Sequence, residues 1–98
     1  MRNDHERMLD IQEAIRKIEK YAKLGKEEFF ADELIQSFML LNLQRIGEAA
    51  NSMTSNTYQQ YPEINWRDII DFRNLLVDEY FRIDLKIVWK IIEQEIPT

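Results

Sequence analysis

The chain has 98 residues, 45% hydrophobic and 32% charged, with two glycines, two prolines and no cysteine. That supports one hydrophobic core rather than two, favours helices over strands or disorder, and excludes disulfides and thiolate metal sites. A formal net charge of −5 argues against the broad basic face of a nonspecific nucleic-acid binder, although it leaves room for a small local basic site.

Between Arg2 and Leu24 the apolar residues Met8, Ile11, Ile15, Ile18 and Ala22 recur every three or four positions, which predicts an amphipathic helix. Gly25 suits a left-handed cap at its end. Lys26 to Phe30 reads as a short connector whose two phenylalanines tuck under the helices. Asp32 is a natural N-cap for a second helix reaching about Met53. Leu34, Phe38 and Leu41 form one edge of its stripe, and Ile35, Met39, Ile46, Ala49 and Met53 form another. So wide an apolar arc is expected of a central helix. Within it the segment Gly47-Glu48-Ala49-Ala50 offers small residues for close approach by a neighbour.

From Asn51 to Gln60 the periodicity is lost, which predicts a loop or a short helical turn before Pro62. Asn65 can cap a helix starting at Trp66, with Trp66, Ile70, Arg73, Val77 and Tyr80 sharing a face. Asp84 can cap a last helix carrying Leu85, Val88, Trp89 and Ile92, which stops at Pro97. The expected fold is all-α: one domain over residues 1–98, an up-and-down bundle of four to five helices. The polar start, MRNDHERMLD, lacks the apolar core of a secretory signal, and no apolar run approaches a membrane span, so a cytoplasmic protein without membrane contact is expected.

Familiar chemistries find few candidates. His5, the single histidine, lies in a polar N-terminal segment, and the carboxylates lack the Glu-x-x-His spacing of di-iron bundles. No Gly-rich phosphate loop and no Ser-His-Asp set is present. No metal and no cofactor is expected. What stands out is the stretch RNLLVDEYFRID, Arg73 to Asp84, which places a guanidinium on an apolar stripe. Such a group must be paired or hydrogen-bonded. Asp78 follows five residues later, about 140° around an ideal helix, so the two side chains do not face each other within one regular helix. On these residues alone, an internal salt bridge and a functional site both stand open.

The combination of motifs resembles the HepT-type HEPN-domain proteins, the toxin half of a prokaryotic toxin–antitoxin pair. The carrying residues are Arg73, Asn74, Val77, Tyr80, Ile83 and Asp84, preceded by Trp66, Arg67, Asp68 and Ile69. Leu9-Asp10-Ile11, Ile46-Gly47-Glu48-Ala49-Ala50 and Val88-Trp89 extend the likeness over essentially the whole chain. The resemblance implies a symmetric homodimer with a shared cleft and metal-independent cleavage of an RNA substrate. Arg73 would hold the scissile phosphate, Asn74 would orient it, and position 78 would be the general acid–base. It also implies that Tyr80 is modified with AMP by a nucleotidyltransferase (MNT) antitoxin, and that a further helical segment follows Thr98.

One position departs from the pattern: Asp78 stands where the family has histidine. A carboxylate with a reference pKa near 3.9, against about 6.5 for imidazole, is a poor proton donor at neutral pH and adds negative charge where phosphate must sit. This copy is therefore expected to be an inactive or weakened endoribonuclease. Two further readings are a non-catalytic HEPN module that binds a nucleotidyltransferase antitoxin or nucleotides, and a structural dimer in which Arg73 and Asp78 form only a salt bridge.

Overall fold

A computed structural model describes residues 3–78 and 83–94. Its elements are α1 (Asp4–Ala22), α2 (Lys26–Ala31), α3 (Glu33–Asn51), α4 (Ser55–Gln60), α5 (Trp66–Asp78) and α6 (Leu85–Gln94), with no strand among the described residues. The all-α expectation holds. The expected four to five helices become six among the described residues, because Lys26–Ala31 is a helix rather than a connector and Ser55–Gln60 takes the short helical alternative. Each is only six residues long, too short for a 3.6-residue period to show in the sequence. The expected helix bounds at Arg2 and Pro97 lie outside the described residues.

Polar side chains set the helix starts. Asn3 accepts the amide of Glu6 at 2.8 Å and Asp32 that of Leu34 at 2.9 Å, each satisfying an N–H that the helix leaves free. At α5, Asn65 accepts from the Asp68 amide at 3.3 Å while its own amide donates to the Asp68 carboxylate at 2.7 Å, a reciprocal cap. Asp84 accepts the Lys86 amide at 2.9 Å. Gly25, at φ 97°, makes the turn between α1 and α2 in a conformation that costs a side-chain-bearing residue strain.

Helix α3 is the central element, packed against α1 on one side and α5 on the other, with α2 and α6 closing one end. Its Met39 and Ile46 edge is buried with Ile18 of α1, Leu76 of α5, and Val88 and Ile92 of α6. Phe29 of α2 sits inside this core, its ring 5.2 Å from that of Trp89, so the phenylalanine of the supposed connector is a core residue. Gln36 donates to the carbonyls of Phe29 and Phe30 at 3.0 and 3.2 Å, finishing α2 from α3.

Two stripes differ from expectation. On α3, Leu34 is 81% and Leu41 44% exposed, while Phe38 between them packs half-buried against the Tyr21 ring of α1 at 5.0 Å. On α5 the inward residues are Ile69, Phe72 and Leu76, and Val77 is 47% exposed. The helix is rotated from the expected stripe: Ile69, Phe72 and Leu76 point into the core, and Arg73, at the edge of that face, meets α3 at Gly47.

Candidate functional site

Gly47 of α3 and Arg73 of α5 define the crossing of the two helices. A Cβ added to Gly47 would lie 2.2 Å from Arg73 Cβ and 2.6 Å from its Cγ, so only glycine permits this approach. The arginine stem is thereby pressed against the α3 backbone and its fork is carried to the surface, 27% exposed. Arg73 Nη1 donates to Asn74 Oδ1 at 2.9 Å. Its Nη2 lies 3.8 Å from Glu48 Oε1, beyond ordinary hydrogen-bond length, and the buried Nε has no partner. Glu48 itself is half exposed and accepts from Gln44 at 3.2 Å. An ion pair this open and this long contributes at most about 1 kcal/mol, so the guanidinium is held in place by packing and remains free to exchange its carboxylate for another anion.

The neighbouring amide is oriented by the same contact. Because Asn74 Oδ1 accepts from Arg73, its Nδ2 is left as a donor on the exposed side of α5. A guanidinium fork with an adjacent amide donor is the donor set that a phosphodiester calls for.

Of the residues singled out from the sequence, Arg73 and Asn74 are together. Asp78 is exposed at the last residue of α5, and its side chain makes no hydrogen bond or ion pair with another described residue. The reading in which Arg73 and Asp78 form only a salt bridge is corrected within the chain: the 140° between them holds in the helix, and Arg73 turns to Glu48 across the crossing instead. Tyr80 lies outside the described residues. No group of three or more His, Cys, Asp or Glu able to hold a metal occurs among the described residues, and no helix there is long and apolar enough to cross a membrane.

Sequence reasoning missed Glu48 as the partner of Arg73, having read its segment only as a packing surface. The signal was present: a glycine in the interior of a long helix costs about 1 kcal/mol relative to alanine, so it marks close approach, and the next residue borders that contact.

The fold is an all-α bundle in which α5 presents an arginine and an amide donor side by side. The comparisons give this class its family. A family profile described as "Ribonuclease HepT-like" matches residues 11–98, and the chain belongs to that family. The chain is 33% identical over 100 residues to the "Probable ribonuclease HepT" of Thermococcus cleftensis, covering 100% of this chain and 91% of that protein. A "Putative RNase" of Methanocaldococcus jannaschii is 28% identical over 91 residues, 92% of this chain and 84% of the relative. A third, from Caldanaerobacter subterraneus and also named "Putative RNase", is 29% identical over 87 residues, 89% of this chain and 78% of its own length. No solved structure matches.

Proposed function

We propose that this chain is the RNase component of a prokaryotic toxin–antitoxin pair, built to cleave RNA without a metal in a cleft between two copies and weakened in this copy by Asp78. The observation that carries the reading is Arg73: a guanidinium fixed by the Gly47 crossing and by Asn74, yet only loosely paired at 3.8 Å. Family membership supports RNA as the substrate class. In the reaction, the ribose 2′-oxygen attacks the adjacent phosphorus and the 5′-oxygen leaves, giving a 2′,3′-cyclic phosphate. One group must take the 2′-hydroxyl proton and one must return a proton to the leaving oxygen. Arg73 stabilises the charge that gathers on the phosphoryl oxygens, and Asn74 donates to one of them. Position 78 is where the proton would be handled.

Exposed Leu34 and Leu41 on α3, and Leu75 and Val77 on α5, supply apolar surface of the kind a homodimer covers. Tyr80 is the proposed site of AMP transfer by a nucleotidyltransferase antitoxin; the added phosphate would occupy the place of RNA. A second reading, a non-catalytic module that binds a nucleotidyltransferase antitoxin or nucleotides, is favoured by Asp78, an exposed carboxylate where the family has histidine.

Cleavage of RNA by the Asp78→His protein separates the two. Imidazole both accepts and donates protons near neutral pH, so a gain of about 10²–10⁴-fold over the present chain is expected, insensitive to chelator and abolished by adding Arg73→Ala. Uncut RNA with Asp78→His, with or without divalent ions, would leave the binding module.

A further inference from the structure

We propose that the concave surface between α4 and the start of α5 is a nucleobase-stacking subsite, which seats a base of the same RNA strand whose phosphate Arg73 holds. The inference rests on the RNA-directed function proposed above. The open, shallow concavity has a volume of about 430 Å³ and is lined by Tyr58, Trp66, Arg67, Ile70 and Asp71. Its open shape suits a base laid against the surface rather than a ligand swallowed whole.

Its aromatic walls are fixed. Tyr58 and Trp66 meet edge to face, ring centroids 5.3 Å apart. Their polar ends are already satisfied: the Tyr58 hydroxyl donates to the Ala50 carbonyl at 2.6 Å and the Trp66 indole N–H to the Tyr61 carbonyl at 3.0 Å. What the two rings offer a visitor is therefore π surface, extended by Ile70. Planar, apolar-faced and weakly hydrated partners suit such a surface, as in single-stranded nucleic-acid binding, where bases stack on aromatic side chains.

The charged groups at the rim choose among such partners. Arg67 and Asp71 are 4.0 Å apart with side chains 90% and 67% exposed, so their pairing is weak and each is free to engage a ligand. A carboxylate on the rim disfavours a phosphate in the cleft itself and favours a base edge bearing N–H donors. Guanine presents two adjacent donors on its Watson–Crick edge, which match the two oxygens of Asp71; uracil presents one. Arg67 is placed to stack on a base or to meet the flanking phosphate.

The register with the proposed site is fixed by the helix. Arg67 and Asp71 precede Asn74 and Asp78 by seven residues each, two turns, so the four lie on one exposed strip of α5 separated by about 10.5 Å along the axis. A short strand running along that strip meets the anion site at one end and the aromatic cleft at the other.

The test is fluorescence anisotropy of a labelled single-stranded oligoribonucleotide with the full chain, the RNA being checked for cleavage on a gel after each titration. The RNA carries one guanine in a uracil background, and a second version has that base removed. Trp66→Ala should weaken binding of the guanine RNA about tenfold and Trp66→Phe should retain it, whereas the abasic RNA should bind both variants alike. Asp71→Ala, at an exposed side chain, should erase the preference for guanine over uracil, and it decides the matter if Trp66→Ala loses its helical circular dichroism. Equal binding of guanine, uracil and abasic RNA, unaffected by Trp66→Ala and Asp71→Ala, would overturn the subsite; a loss on Arg73→Ala in the same titrations would still leave the proposed function standing. Absence of RNA binding by every protein at low salt would remove both. If Trp66→Ala changed the sedimentation coefficient and not RNA binding, the cleft would be a protein interface and the subsite would be overturned.

Discussion

Arg73 rests on Gly47: a Cβ on the glycine would stand 2.2 Å from the Arg73 Cβ, closer than two unbonded carbons approach. The same contact joins α3 to α5 and aims the guanidinium outward, so stability and the candidate site share one position. Gly47→Ala must push the helices apart, and overpacking of this kind costs about 1–3 kcal/mol. We expect a lower midpoint in urea denaturation together with weaker RNA binding. An unchanged midpoint would show that the crossing yields more easily than its geometry implies. Gly25→Ala is a useful comparison, because there the space is open and only the backbone at φ 97° objects.

Glu48 competes with any anion for Arg73. Because the pair is 3.8 Å long and the glutamate half exposed, Glu48→Gln should change stability by less than about 1 kcal/mol. It should strengthen RNA binding by Arg73, because no resident carboxylate then has to be displaced. Titration of the variant beside the present chain checks this; weaker binding would mean that Glu48 orients the guanidinium rather than occupying it.

Asp4 predicts an acid limb in the stability profile. The side chain of Thr54 is the first cause holding its carboxyl down, followed by that of Thr57, the Thr54 amide and Arg7; together they lower it from 3.8 to about 2. Thr54 donates from its amide at 3.0 Å and from its hydroxyl at 2.6 Å, Thr57 donates its hydroxyl, and Arg7 lies at 3.1 Å. A carboxyl depressed in the folded state binds fewer protons there than in the unfolded chain. Its contribution is therefore complete above pH 4 or so and is lost as pH falls from about 4 to about 2. Thermal midpoints across that window should fall more steeply for the present chain than for Asp4→Asn, which should start lower at neutral pH. Parallel profiles would count against the α1–α4 clasp.

The proposed homodimer is open to a direct measurement. Val77 is 47% exposed, one turn beyond Arg73, where an isologous contact around both arginines would cover it. Sedimentation at micromolar concentration should give about twice the 11.9 kDa chain mass, and Val77→Asp should shift it toward the monomer. A monomer without any substitution would sink the shared cleft.

The sequence by itself determined the helices whose buried stripes are long enough to repeat, and most of their caps. Asn65, Asp84 and Asp32 cap where their side chains announced it, because capping is a contact between near neighbours. It also determined the family, through the joint occurrence of Trp66, Arg73, Asn74 and their companions, and singled out Arg73 as a charge needing explanation. Tertiary structure decided what those local patterns leave open. Periodicity gives the angle of a residue on its own helix but not which neighbour covers it, so exposed Leu34, Leu41 and Val77 looked like core. The partner of Arg73 lies 25 residues away at Glu48, on another helix, and no spacing rule within α5 could reveal it. The aromatic cleft joins Tyr58 and Trp66 across the Pro62 turn for the same reason: the chain's path, not its local propensity, brings the rings together.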